Sequence, residues 1–252
     1  MIDPATGQYS EAGTREDGKT FDAGLKAYML RVYNYMTSGI LLTGIVAMMG
    51  SQSEAVLSAL YNIVPYNGSY AISGYTGLGM IVAFSPLAFV LVMSFGLNKM
   101  SSKTLQLTFW AFAAVMGLSL SSIMLMYTGE SIARTFFITA ATFGSLSLYG
   151  YTTKKSLSGW GTFLFMGLVG IIIASIVNIF MQSTMMSFII SGAGVLIFAG
   201  LTAYDTQKIK QMYYQVSNPE MLAKAAIMGA LNLYLDFINL FLMLLRFLGN
   251  RN

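Results

Sequence analysis

Runs of about twenty apolar residues recur along this chain of 252 residues, and they limit its fold more than any other feature. A helix of that length spans the hydrocarbon core of a bilayer. Only 10% of the residues are charged and 56% are hydrophobic, whereas soluble domains carry about 25% charged residues. The sequence therefore predicts an all-α polytopic membrane protein.

Seven apolar segments are long enough to cross, and they predict seven transmembrane helices within a domain of residues 28–252. The predicted spans are 33–49, 78–97, 105–127, 131–151, 161–181, 185–204 and 227–247. Residues 1–27 are polar and lack the apolar region of a signal peptide. They predict a flexible cytoplasmic tail.

The distribution of basic residues predicts the orientation, because cytoplasmic loops are enriched in lysine and arginine. Basic residues lie before the first span and in alternate loops, at Lys99, Lys103, Lys154, Lys155, Lys208, Lys210 and Lys224. The other loops hold only Arg134, which places the N-terminus in the cytoplasm of a cell inner (plasma) membrane protein. Seven crossings put the C-terminus outside, although Arg246 and Arg251 favour a seventh segment that re-enters instead of crossing. Residues 50–77 form the one long external loop, and "SEAVLSALYNIV" within it predicts an interfacial helix.

The absence of cysteine and histidine excludes disulfides, thiolate or imidazole metal sites and histidine-assisted nucleophiles. No cofactor and no enzyme activity are expected. The net charge of +4 comes from residues at the ends of spans, so it predicts contact with the lipid bilayer and no binding of nucleic acid.

Two aspartates, Asp205 and Asp236, lie at or near membrane depth, where a charged aspartate costs roughly 2.5–3.5 kcal/mol at a helix centre. Such residues usually face the protein interior. Asn232 and Asn239 share the helix face of Asp236, and Arg246 continues this polar seam. The seam predicts a helix directed at a cavity or a partner helix; the alternative is a hydrogen-bonded clamp with no transport role.

Asp205 has a simpler alternative, a surface pair with Lys208 three residues later. The sixth and seventh spans, however, are antiparallel neighbours joined by a short loop around "VSNPE". The two carboxyls come level if Asp205 lies inside the boundary of its span or the seventh span starts late. Two carboxylates in low dielectric cannot both ionise cheaply, so the pair predicts a shared proton and a pH-responsive gate. The ionised pair offers oxygen ligands for calcium.

Four stretches of the chain contain most of its recognisable sequence motifs. They read "SPLAFVLVMSFGL", "SLYGYTTKKSLSGWGTFLFMGL", "GVLIFAGLTAYDTQKIK" and "LNLYLDFINLFLMLLRFLG". They resemble the bacterial branch of the Bax inhibitor family (transmembrane Bax inhibitor motif), from about Arg31 to Arg246. The resemblance implies seven helices with the last one central, and a pH-sensitive calcium leak governed by sensor aspartates at Asp205 and Asp236. It also implies a relation to inner-membrane proteins that modulate a membrane-anchored protease.

Two positions depart from the family pattern. Some members pair the aspartates with an arginine latch in the second span, but residues 78–97 contain no arginine. Arg31, on one face with Asn34 and Ser38, is the candidate substitute, and interfacial anchoring is the alternative interpretation. The chain reads "TKKSLS" at residues 153–158 where many bacterial relatives read "TKRDLS", so one cytoplasmic carboxylate is missing.

Three hypotheses follow: a pH-gated calcium (cation) leak channel, a non-conducting interaction protein that modulates an inner-membrane protease, and a proton-coupled transporter of a small solute.

Overall fold

The computed structural model describes residues 12–66 and 69–250, which are mostly helical. The elements are α1 Ala12–Gln52, α2 Glu54–Leu60, β1 Tyr61–Tyr66, β2 Ser69–Tyr75, α3 Gly77–Gly96, α4 Ser102–Leu120, α5 Ile123–Met126, α6 Gly129–Thr152, α7 Ser158–Met181, α8 Thr184–Gln215 and α9 Pro219–Leu248.

Six helical stretches among the described residues are long and apolar enough to cross a membrane, which makes this a multi-pass membrane protein. They are Ala23–Gln52, Gly77–Gly96, Ser102–Met126, Ser158–Met181, Thr184–Gln215 and Pro219–Leu248. The fourth predicted span, residues 131–151, coincides with α6. This helix of 24 residues is long enough but is not among the six, so the structure supports six of the seven predicted crossings by this criterion.

Hydroxyl side chains account for the lower hydropathy of α6. Ser131, Thr135, Thr139 and Ser147 follow one another at multiples of four residues, and all four are buried. Residues four apart share a helix face, so the hydroxyls form one inward stripe. Phe137 and other apolar side chains lie exposed on the other faces.

Helix α1 begins within the predicted tail. Residues 12–27 are helical, and Leu25 is already buried in the core with an exposure of 4%. The packed bundle therefore begins before residue 28, because Leu25 and Tyr28 lie one turn apart on the buried face of α1. Residues 1–11 lie outside the described residues, and the flexibility of the tail stays a prediction.

The segment between the first two spans is part helix and part sheet. The predicted interfacial helix ends at Leu60, and the following residues pair as an antiparallel hairpin with Tyr61 opposite Tyr75. Val64 favours the strand because β-branched side chains fit a pleated surface. The Tyr61 hydroxyl lies 3.1 Å from Ser121 Oγ, which attaches the hairpin to the end of α4.

Helix α9 packs against α1, α4, α6 and α8, and it is the most buried candidate span. It is continuous over 30 residues, about 45 Å at 1.5 Å per residue. Its end meets the start of α6: Arg134 Nη2 donates to the Leu248 carbonyl at 3.3 Å, and Asn250 N donates to Ser131 Oγ at 2.9 Å. The last segment is therefore one continuous helix that runs the length of the bundle.

Candidate functional site

The interface between α8 and α9 is built on close contacts at two glycines. Ile209 lies over Gly229 and Met243 lies over Gly194, where a Cβ atom would approach these side chains to 3.1 Å and 2.7 Å. The two contacts fix an antiparallel register along the helices. In that register Asp205 is level with the turn of α9 that precedes Asp236.

The two aspartates meet across this interface, with their carboxyl groups within reach of a side-chain hydrogen bond. Asp236 is 5% exposed and Asp205 is half-buried. They meet because α8 continues to Gln215, ten residues beyond Asp205, whereas the apolar run predicted an end at Tyr204. Asp205 thus lies well inside its helix, which is one of the two conditions that the sequence set.

One carboxyl oxygen of the pair stands out. Asp236 Oδ2 is buried and has no hydrogen-bond partner among the described residues. An ionised carboxylate only accepts hydrogen bonds, so a bond between two carboxyl groups requires a proton on one of them. The arrangement is suited to holding one proton between two helices.

A chain of hydroxyls connects the same level of α8 to α6 and α1. Thr206 Oγ1 lies 2.9 Å from Ser147 Oγ, which lies 2.6 Å from the Tyr33 hydroxyl. Thr206 also donates to the Thr202 carbonyl at 2.7 Å. These residues could not be predicted from the sequence, because serine and threonine inside helices commonly bond their own backbone and give no sign of a tertiary partner.

The cations predicted near the pair differ in position. Lys208 is exposed and acts electrostatically on Asp205, so the surface interaction considered from sequence exists beside the carboxyl contact. Arg31 is also exposed but lines a shallow groove with Asn34, Ser38 and Trp110 of α4. The face of α1 that carries Arg31 is turned to α4, so the structure places the proposed latch apart from the carboxyls.

The predicted polar seam of α9 is only partly inward. Asn232 is half-buried, and Asn239 Nδ2 donates to the Leu235 carbonyl of its own helix at 2.8 Å. Arg246 is exposed in the last turn, where a cation interacts favourably with the helix dipole. Of the seam, Asp236 alone reaches the α8 carboxyl.

Gln207 ties the site to the loop between α6 and α7. Its Oε1 accepts from Leu157 N at 2.7 Å, and its Nε2 donates to the Lys155 carbonyl at 2.9 Å. This loop contains the "TKKSLS" sequence, so α8 carries both the carboxyl of Asp205 and the anchor of the loop. Movement of α8 would therefore move the loop.

A calcium ion would find two carboxyl groups here. In the part of the chain that the structure describes, no three His, Cys, Asp or Glu side chains group together as metal ligands. Calcium takes six to eight oxygen ligands, so carbonyls or water would have to complete its shell. The pair by itself is therefore not a complete calcium site.

Comparison with known proteins agrees with this architecture. The sequence model of the family described as "Inhibitor of apoptosis-promoting Bax1" matches residues 25–252. The chain belongs to the Bax inhibitor family. It is 48% identical to the inner membrane protein YbhL of Escherichia coli K12 over 231 residues, which cover 91% of this chain and 94% of YbhL.

Other relatives of this Bax inhibitor family protein cover similar lengths. An uncharacterized protein of Rickettsia prowazekii is 48% identical over 238 residues, 94% of this chain and 95% of its own. An uncharacterized membrane protein of Streptococcus pyogenes serotype M3 is 35% identical over 233 residues, 92% of this chain and 96% of its own.

Proposed function

We propose that this protein is a pH-sensitive calcium (cation) leak channel of the bacterial inner membrane, gated by Asp205 and Asp236. The observation that carries the proposal is the buried carboxyl pair with the unpartnered Oδ2 of Asp236. Leaving a buried polar atom without a hydrogen bond costs about 1–3 kcal/mol.

The gate works through one proton. With the proton present, a hydrogen bond joins α8 to α9. Without it, two negative charges face each other in a medium of low dielectric, where repulsion is strong. Because α8 holds the α6–α7 loop through Gln207, displacement of α8 also displaces this loop and opens that end of the bundle. The freed carboxylates then offer oxygen atoms to the calcium ion that passes.

The proposal includes an orientation. The basic end is the end of the bundle at which α6 and α8 finish and α9 begins, and it carries Lys154, Lys155, Lys208 and Lys210. We place this end and the N-terminus in the cytoplasm, in keeping with the positive-inside bias. The helix α6, with its hydroxyls turned inward, makes the fourth of seven crossings. The name of the relative YbhL as an inner membrane protein supports the location.

A non-conducting interaction protein that modulates an inner-membrane protease is the alternative. It is favoured by the scarcity of acidic groups, since the described residues hold no cluster of three that could line a cation path. Proton-coupled transport of a small solute would use the same carboxyl pair. The two alternatives differ from the channel in whether calcium crosses the bilayer.

Calcium flux from liposomes that contain only this protein tests the proposal. The parent, Asp205→Asn, Asp236→Asn and the double variant are compared between about pH 6 and pH 8, a range in which a coupled carboxyl pair can titrate. Each single change should remove most of the pH dependence, and the double variant should resemble either single, because coupled sites are not additive. Parental pH profiles in both single variants would contradict the gate. A parent that conducts nothing would favour the interaction protein.

A further inference from the structure

An elongated cavity of about 670 Å³ lies between α1 and α6, with Phe237 of α9 at its base. It extends from Lys26 and Tyr151 at the basic end to Leu41 and Phe136 toward the other end. The lining extends over residues 26–41 of α1 and 136–151 of α6, and either stretch is roughly 22 Å long at 1.5 Å per residue. We call it the α1–α6 groove.

The lining of the α1–α6 groove is largely apolar. Its polar groups include Tyr33 and Ser147, whose hydroxyls lie 2.6 Å apart and bond each other. Leu30, Leu41 and Leu148 are more than half exposed, so the groove opens on the side of the bundle that faces the bilayer. The lining therefore favours an apolar occupant, because it contains few polar atoms with which an occupant could form hydrogen bonds.

The basic end of the groove is positively charged. Lys26 lines the groove and is exposed. Lys210 Nζ donates to the Tyr151 carbonyl at 2.7 Å and lies 5.2 Å from the centre of the Tyr151 ring. Lys154 and Lys155 follow directly after α6 and are exposed. An occupant with an anionic group at this end and an apolar chain along the groove would match both features.

We infer that the α1–α6 groove binds an anionic phospholipid from the leaflet at the basic end, with one acyl chain in the groove and the phosphate at Lys26. An acyl chain spans one leaflet, about half of the ~30 Å hydrocarbon core, so it fits within the groove length. A partner helix is about 10–12 Å across, and one that filled this length would need more than twice the cavity volume. The inference does not depend on the carboxyl pair or on calcium conduction.

The test uses the full chain in phosphatidylcholine vesicles with phosphatidylglycerol that carries a photoactivatable group on an acyl chain. Cross-linked peptides are mapped by mass spectrometry. Labelling of residues 26–41 and 136–151 should exceed that of α7, whose exposed side chains report ordinary lipid contact. A label spread evenly over α7 and the groove would overturn the inference. A second result would also overturn it: in native membranes, a protein helix is cross-linked at residues 26–41 in place of lipid.

A pair of glycine variants tests the groove itself. Gly144 lines the groove, and a Cβ there meets nothing within 4 Å, so Gly144→Leu fills the space without a clash in the bundle. Gly170 of α7 is equally open, and Gly170→Leu is the matched control. Gly144→Leu should lower groove labelling about tenfold, the change that corresponds to the loss of a specific site. Unchanged labelling in a Gly144→Leu protein that melts like the parent would contradict the site.

A pair of lysine variants tests the headgroup. Lys26→Gln should reduce the preference for phosphatidylglycerol over photoactivatable phosphatidylcholine about fivefold, as expected for one lysine near an anionic surface. Lys103→Gln, an exposed lysine of α4 outside the groove, should leave the preference unchanged. Equal labelling by both lipids in the parent would overturn the anionic assignment.

Discussion

Two buried polar side chains of α9, Tyr234 and Asp236, lie two residues apart and face opposite sides of the helix. The Tyr234 hydroxyl lies 2.6 Å from Thr43 Oγ1, and Thr43 donates to the Ala113 carbonyl at 2.8 Å. This contact joins α9 to α1 and α4 with each hydroxyl bonded. Asp236, on the side of α8, leaves one oxygen without a partner.

This difference in hydrogen bonding distinguishes a structural contact, at Tyr234, from a proposed switch, at Asp236. A fully bonded polar network in a core has one favourable arrangement and rigidifies the packing. The carboxyl pair has two arrangements, with and without its proton, and they differ in charge. In the proposed mechanism the α1–α4 side of α9 is fixed, and the α8 side responds to pH.

The largest expected effect comes from a variant that disrupts the close contact between α8 and α6. A Cβ at Gly150 would overlap the Ala203 carbonyl, two residues before Asp205, so Gly150→Val must push α8 away. We expect a loss of about 3 kcal/mol or more, at the upper end of overpacking costs. Thermal melting in detergent measures it. Gly144→Val in the same helix has open space and should melt like the parent, and equal losses in both would contradict the close contact.

Next in size is the contact of Tyr234 with Thr43. Thr43→Val leaves the buried Tyr234 hydroxyl without its acceptor, which should cost about 1–3 kcal/mol. Tyr234→Phe removes the hydroxyl itself and leaves Thr43 bonded to Ala113, so the cost should be smaller, about 1 kcal/mol. Chemical or thermal unfolding gives the order. Both variants should keep the parental pH dependence of flux. A changed pH profile in either variant would contradict the distinction between the two sides of α9.

The smallest effect concerns the hydroxyl chain from α1 to α8. Tyr33→Phe removes its outer member, while Ser147 stays 2.9 Å from Thr206. We expect about 0.5–1 kcal/mol of lost stability, because a satisfied pair remains. The melting temperature reports the loss, and the pH profile of flux checks the switch. Loss of pH dependence in this variant would extend the switch to α1.

The apolar runs predicted the helices because bilayer thickness sets their length. The end of α8 was harder to find, since "DTQKIKQMYYQ" is polar and yet contains no helix breaker. The apolar run ends at Tyr204, whereas the helix continues to Gln215, before the Asn218 cap and Pro219 that start α9. Asp205 therefore lies ten residues before the end of α8 instead of at its end.

Other features had signals that polarity alone does not show. The letters "NG" at residues 67–68 separate two segments with strand formers, a frequent sign of a hairpin, but "SEAVLSALYNIV" favoured an interfacial helix over the first of these segments. The contact of Thr43 with Tyr234 joins residues 191 positions apart, and no local pattern encodes it. The sequence pointed to Asp205 and Asp236 through their position near membrane depth and predicted that they face the protein interior, and the resemblance to the Bax inhibitor family then named both; the unpartnered oxygen of Asp236 came only from the fold.

The central claim is that Asp205 and Asp236 share one proton, and infrared spectroscopy of the carboxyl stretch across a pH series tests it most directly. The parent protein should show one protonated carboxyl band near neutral pH that disappears as the pH rises. Asp205→Asn and Asp236→Asn should each shift or remove it. A parent without this band, or a band that both single variants retain unchanged, would contradict the account.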